Sequence, residues 1–227
     1  MERGIDSMGD IQKSIEIVLS TVNKDTGEFG SAILALPAGE KEIREAIQRL
    51  QAVGKEIRVW SSILECTMFR RLEDLQLEAP TVDEMNFFAK RLVNMTDEEK
   101  IVFDAVTRRM ASPTQEIRFV GMKELINSTY GLNEVPVASN IHNLDELGHF
   151  VFENDMNSDI SGISEEAAPY LDFKRIGQVQ QENDDGVFVG SYYVVLREYE
   201  RPEVYDGNTL PKEEATEIEL IAQNLLM

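Results

Sequence analysis

Thiols and imidazoles are almost absent from this chain. Its 227 residues include one cysteine, Cys66, and two histidines, His142 and His149. A lone cysteine excludes an intramolecular disulfide framework and a cysteine-based zinc site. So few thiols and imidazoles also remove most nucleophile–base pairs. No phosphate-cradling glycine loop, dinucleotide fingerprint or nucleophile elbow occurs, so the expectation is a protein that is not an enzyme and takes no cofactor. No apolar run approaches the roughly 20 residues that a membrane span needs. The first ten residues, MERGIDSMGD, lack an apolar signal core, which predicts a soluble, cytoplasmic protein. Tryptophan occurs once, at Trp60, and is expected in the core, as are the methionines at helical spacing. Cations are scarce as well: 22 Lys and Arg face 42 Asp and Glu, a net charge of −20. Phosphate binding needs clustered cations, so nucleic acid is not expected as a direct ligand.

What is present is globular patterning. Hydrophobic residues make up 42% of the chain, enough to bury a core. Ile15, Ile17 and Leu19 alternate as in a half-buried strand, NKDTG reads as a turn, and SAILAL up to Pro37 reads as the second arm of a hairpin. Ile43, Ala46, Ile47, Leu50 and Val53 fall at helical spacing, with Gly54 where a C-cap glycine belongs. EIRVWSSILECTMF reads as extended. Two capping boxes follow, Thr81 with Glu84 and Thr96 with Glu99, each a hydroxyl at the N-cap and a glutamate three residues on. The apolar stripes behind them, Val82, Met85, Phe88, Ala89 and Leu92, then Ile101, Val102, Ala105, Val106 and Met110, predict an antiparallel helical hairpin. Short helices are expected over 121–129, closed by Gly131, over 143–154, with Leu144, Leu147 and Val151 inward, and over 172–182. GVFVGSYYVVLREY reads as a strand pair, and the segment from Pro211 as a terminal helix with Ile218, Ile221 and Leu225 on one face. The fold class is α+β. The expected domains are an N-terminal antiparallel sheet with a helix (1–78), a central helical unit (79–131), an acidic C-terminal α+β unit (132–200) and a tail (201–227).

The charge is segregated. Residues 1–111 hold 15 basic and 20 acidic side chains, whereas residues 112–227 hold 7 and 22. Between Lys123 and Lys174 lie 50 residues without a Lys or Arg, carrying 10 carboxylates: Glu124, Glu134, Asp145, Glu146, Glu153, Asp155, Asp159, Glu165, Glu166 and Asp172. A solubility surface usually mixes both signs. Within this window DMNSDISGISEE, starting at Asp155, imitates the ligand spacing of a helix-flanked calcium loop, with Glu166 at the twelfth position. The sixth position of such a loop needs a left-handed backbone, hence glycine, and here it is Ile160. Asp145, His149 and Glu153 recur every four residues on one helix face. Three ligands so spaced extend about 12 Å along the axis, so a metal there would need ligands from elsewhere. No metal is therefore expected, although an acidic metal-binding or hydrolytic protein stands as an alternative class.

The stretches ILALPAGEKEIREAIQRL, TVDEMNFFAKRLVNMTDEEKIVFDAV, MKELINSTYGLNEVPVASNIHNLDELGHFVFEN and YLDFKRIGQ followed by GVFVGSYYVVL resemble, in that order, the ArdA antirestriction proteins. They are most similar to the longer relatives on mobile elements of Gram-positive gut bacteria. The resemblance covers roughly residues 14–200 and leaves Pro202–Met227 outside. It implies an elongated, usually dimeric protein that imitates bent B-form DNA and occupies the DNA groove of type I restriction–modification enzymes, with a CRISPR nuclease as the second candidate target. Duplex DNA presents one negative charge per roughly 1.7 Å of axis. On this reading the ten carboxylates of 124–173 form the target-binding surface, and the partner is a DNA-binding defence enzyme.

Overall fold

The structure, a computed structural model, describes residues 13–110 and 119–212. The elements in chain order are β1 (Ile15–Val22), β2 (Phe29–Leu36), α1 (Glu40–Gln51), β3 (Ile57–Cys66), β4 (Gln76–Glu78), α2 (Val82–Asn94), α3 (Asp97–Met110), β5 (Phe119–Gly121), α4 (Met122–Asn127), β6 (Val137–Ser139), α5 (Leu144–Glu153), α6 (Phe173–Asp184), β7 (Val187–Val189) and β8 (Tyr192–Val194). The fold is α+β and begins with an antiparallel sheet. No helix among the described residues is long and apolar enough to cross a membrane. The expected terminal helix falls on residues 213–227, outside the described residues.

The chain divides into two compact units. The first takes residues 13–95, 119–129 and 203–212 of the described chain, and the second takes 96–110 and 130–202. The expected α2–α3 hairpin is shared between the units: α2 packs with β2 and α4 in the first, whereas α3 packs with β7 and β8 in the second. Adjacent capping boxes mark where two helices start, but long-range burial decides which core each one joins.

In the first unit, β1 lies between β2 and β3 in an antiparallel sheet. Asn23 builds the β1–β2 turn, its Oδ1 accepting from the N–H groups of Asp25 (3.0 Å) and Thr26 (3.2 Å), and Gly27 supplies the left-handed residue at φ 73°. The alternation read from sequence holds: Ile15, Ile17 and Leu19 are buried, and α1 packs across the three strands. Gly54 serves another purpose than the one expected. Its backbone is not left-handed, and a Cβ there would stand 2.5 Å from Thr21 Oγ1 and 2.8 Å from the Val22 carbonyl oxygen. It is required for close approach to β1. Trp60, expected in the core, is 46% exposed. Its neighbour Val59 pairs with the inward-facing Leu19, so Trp60 turns outward, in the irregular stretch where the register of β3 on β1 shifts. The Thr81–Glu84 capping box forms at the start of α2, and Met85, Phe88, Ala89 and Leu92 are buried together with Phe87. The parallel pair β4–β5 joins residues 76–78 to 119–121. Residues 203–212 close the unit. Asn127, itself buried, donates Nδ2 to the Tyr205 carbonyl (2.9 Å) and accepts on Oδ1 from the N–H groups of Val204 (3.0 Å) and Tyr205 (2.7 Å).

In the second unit, β8 is the centre of the order β6-β8-β7. Ile141, Leu147, Val151 and Tyr193 form a buried cluster, flanked by Phe150, Ile160, Ile176 and Phe188. The Thr96–Glu99 box opens α3, with Thr96 N–H donating to Glu99 Oε2 (2.8 Å) and Glu99 N–H to Thr96 Oγ1 (3.2 Å).

Candidate functional site

The acidic window is carried mainly by α5, the following turns and the start of α6. Asn143 caps α5, its Oδ1 accepting from Glu146 N–H (3.0 Å). Glu146 answers by accepting from His142 N–H (2.8 Å) and Asn143 Nδ2 (2.9 Å), and it faces His142 Nδ1 at 2.7 Å. The His142 backbone N–H, and after it the His142 ring, hold the Glu146 carboxyl below the usual carboxylate range. Glu146 is therefore half-buried in a helix cap.

Two glycines bring α5 and α6 together. A Cβ on Gly148 would stand 1.9 Å from the Phe173 carbonyl oxygen, and one on Gly177 would stand 1.9 Å from the Leu144 carbonyl oxygen. The helices meet backbone to backbone. This contact places the His149 ring flat on Phe173, with centroids 3.7 Å apart, and Phe152 edge-on to the same ring at 5.6 Å. Leu147 and Val151 turn into the core, while Asp145, His149 and Glu153 stay exposed along the opposite flank, as their spacing predicts. Asp145 Oδ2 stands 3.9 Å from His149 Nε2. An open depression of about 520 Å³ beside the pair is lined by Asn143, Leu144, Asp145, Lys174, Gln181 and Phe188.

Beyond α5 the chain turns on its own backbone. Asp155 adopts φ 51° and Gly162 φ 81°. Asn157 closes the loop: its Oδ1 accepts from Asp159 N–H (2.9 Å), and its carbonyl accepts from Ile160 (3.2 Å) and Ser161 (3.0 Å). Ile160, at the sixth position of the calcium-like pattern, is not left-handed and packs half-buried against the core. An apolar peg thus occupies the site of the sharp turn that a calcium loop requires. No three His, Cys, Asp or Glu among the described residues stand close enough to hold one ion.

The ten carboxylates separate into groups. Glu134, Asp145, Glu153, Asp155, Asp159, Glu166 and Asp172 lie in the second unit and are exposed. Asp172 also caps α6, accepting from Arg175 N–H at 3.0 Å. Glu165 opens the short helical turn Glu165–Tyr170. Glu146 is engaged in the α5 cap. Glu124 lies on α4 in the first unit and is half-buried. Among the described residues, no Lys or Arg ion pair reaches Glu134, Asp145, Glu153, Asp155, Asp159, Glu166 or Asp172. Several cations of the unit are engaged elsewhere. Arg108 binds Asp104 (2.8 Å) and the Phe188 carbonyl (3.1 Å), Arg109 binds Asp185 (2.7 Å) and the Leu196 carbonyl (3.2 Å), and Arg197 binds the Asn183 carbonyl (2.8 Å). Tyr170, within the same window, is 89% exposed.

No protein-family model matches the chain, and no curated protein matches it significantly.

Proposed function

We propose that this chain is a non-enzymatic inhibitor that imitates duplex DNA and occupies the DNA-binding groove of a host defence nuclease. The observation that carries the reading is the set of seven exposed carboxylates in the second unit, Glu134 to Asp172, which no Lys or Arg of the described residues neutralises. A groove built to bind DNA presents Lys and Arg along its length, and its affinity comes from many phosphate contacts of modest individual strength. Carboxylates held on a folded scaffold, without intervening cations, are what such a groove would accept in place of phosphate. The packing of α5 on α6 supports the reading further, since helices in backbone contact make a stiff mount for Asp145 and Glu153.

A type I restriction–modification enzyme is the first target and a CRISPR nuclease complex the second, in keeping with the resemblance in the sequence. The protein itself is not expected to bind duplex DNA, because it has no basic patch in the acidic window. The experiment is a pull-down of the intact protein against purified complexes of both kinds, followed by addition of labelled duplex. A complex captured by the protein and unable to bind duplex supports the reading. Capture of neither complex, or capture of a ternary complex that still holds duplex, contradicts it.

A further inference from the structure

The two edges of the sheet in the first unit are built differently. With β1 in the centre, β2 and β3 each keep one side unpaired. β3 carries the usual safeguards of an exposed edge: the exposed charges Arg58 and Glu65, and two register shifts against β1. β2 carries none of these. Its sequence, FGSAILAL, contains no charge and no proline, and its register on β1 runs unbroken from Leu36 opposite Ile15 to Phe29 opposite Val22. A long, flat, uncharged edge strand is a template for pairing with another chain. The turn before it fixes which groups face out. Gly27 N–H donates to the Asn23 carbonyl and Asn23 N–H to the Glu28 carbonyl, both at 2.8 Å. Antiparallel pairs alternate between exchanging both backbone bonds and exchanging none. Gly30, Ala32 and Leu34 therefore bond to β1, while Phe29, Ser31, Ile33 and Ala35 turn their N–H and C=O groups to the open side. No other strand or loop backbone among the described residues hydrogen-bonds these four. Of their side chains, Phe29 is 57% and Ile33 61% exposed.

We propose that β2 pairs antiparallel with β2 of a second copy of this chain, across a two-fold axis, so that the two sheets join edge to edge. One register uses every outward group. It sets Phe29 opposite the partner's Ala35 and Ser31 opposite the partner's Ile33, and by symmetry the reverse. Side-chain size fits this register. Each large residue meets a small one directly, and Phe29 lies diagonally beside the partner's Ile33, within reach of an aromatic ring. The two most exposed apolar side chains of the strand then cover each other. Charge favours this seam as well. Copies that each carry a net charge of −20 repel. Residues 13–95, which hold the sheet, have 11 Lys and Arg against 13 Asp and Glu, whereas residues 130–202 have 4 against 14. β2 adds no charge of its own, so two copies can meet along it at little electrostatic cost. The contact is also self-limiting: a two-fold seam occupies β2 of both copies, so it closes at a dimer and does not continue into a fibre.

The test is the mass of the full chain by sedimentation equilibrium over a wide dilution series, for the wild type and three variants. Ser31→Pro removes one outward N–H that bonds nothing within the described chain. Ile33→Lys sets a charge in the seam. Leu64→Lys is the control: Leu64 is 47% exposed on β3, at the other edge of the sheet. The wild type and Leu64→Lys should rise from the mass of one chain to that of two as concentration increases. Ser31→Pro and Ile33→Lys should stay at the mass of one chain throughout, and melt where the dilute wild type melts. In the wild type alone, hydrogen exchange at the Phe29, Ser31, Ile33 and Ala35 amides should slow with concentration, a readout that needs no variant to fold. A wild type that keeps the mass of one chain at every concentration would overturn the proposal. So would a Ser31→Pro protein that dimerises as the wild type does, or a dimer lost in Leu64→Lys and kept in Ser31→Pro, which would assign the contact to a face of the sheet and not to its edge.

Discussion

Gly148 on α5 faces the Phe173 carbonyl so closely that a Cβ would stand 1.9 Å from its oxygen. The usual preference between alanine and glycine is therefore reversed here. In an exposed helix interior, glycine is less favourable than alanine by roughly 1 kcal/mol. At this crossing the added methyl must push two helix backbones apart. Gly148→Ala should lower stability by about 1–3 kcal/mol, the scale of overpacking in a close-packed core. Gly177→Ala should act in the same direction, through the Leu144 carbonyl. Urea unfolding checks both, and stability equal to or above that of the wild type in the two variants would show that the helices do not meet backbone to backbone.

Asn127 ties residues 204 and 205 to the first unit with three hydrogen bonds from a buried side chain. Asn127→Ala leaves two N–H groups and a carbonyl without that partner. A cost of about 1–3 kcal/mol is expected for buried groups left unsatisfied. Limited proteolysis should then cut near residues 203–212 in the variant before it cuts the wild type. Equal stability and equal cleavage would mean that this segment is not anchored there.

Burial, and after it the hydrogen bond to Glu84, pushes the Tyr205 hydroxyl from its ordinary value of 10.0 up to about 12. The folded state thus favours the protonated phenol. Its contribution is fully present below pH 10 and is lost as the pH rises through about 12. Tyr205→Phe, which has no proton to lose, should show a shallower fall in melting temperature across that window. Parallel alkaline profiles for the two proteins would contradict the buried Tyr205–Glu84 pair.

Local signals were legible in the sequence, and tertiary ones were not. Thr81 with Glu84 and Thr96 with Glu99 could be read because a capping box is complete within four residues. Ile15, Ile17 and Leu19 could be read because strand alternation is local. The joining of Gln76–Glu78 to Phe119–Gly121 could not, since neither three-residue strand has enough sequence to reveal a period. The roles of Gly148 and Gly177 were hidden too, because a lone glycine in a helical pattern reads as weakness until its partner helix is known. Of the acidic candidates, composition identified a window without cations but could not separate Glu146, engaged in capping α5, or Glu124, half-buried in the other unit, from the exposed remainder. Asp145, Glu153 and Asp159 are exposed as the pattern suggested. Trp60 lies outside the core instead, because the register of β3 on β1 decides which way it turns, and a register with a bulge leaves no trace in the strand's own sequence.

On the proposed function, the exposed carboxylates of the second unit stand in for phosphates. Each exposed ion pair is worth only about 0–1 kcal/mol, so a single neutralisation such as Asp155→Asn should change inhibition little. The direct measurement is displacement of labelled duplex from a type I restriction or CRISPR nuclease complex, at low and high salt, by three proteins: the wild type, a variant with Asp145, Glu153, Asp159 and Glu166 changed to Lys, and a control with Asp25, Glu28, Glu40 and Glu45 changed to Lys. All eight positions are exposed. None of the first four has a Lys or Arg ion pair among the described residues, whereas Glu40 and Glu45 already pair with Arg44 and Lys41. The wild type should displace duplex, and do so less well as the screening length shrinks from about 10 Å at 0.1 M to about 3 Å at 1 M salt. The control should retain most of that activity, and the first variant should lose it while melting at the wild-type temperature. Full displacement of duplex by the folded first variant would contradict the proposed function.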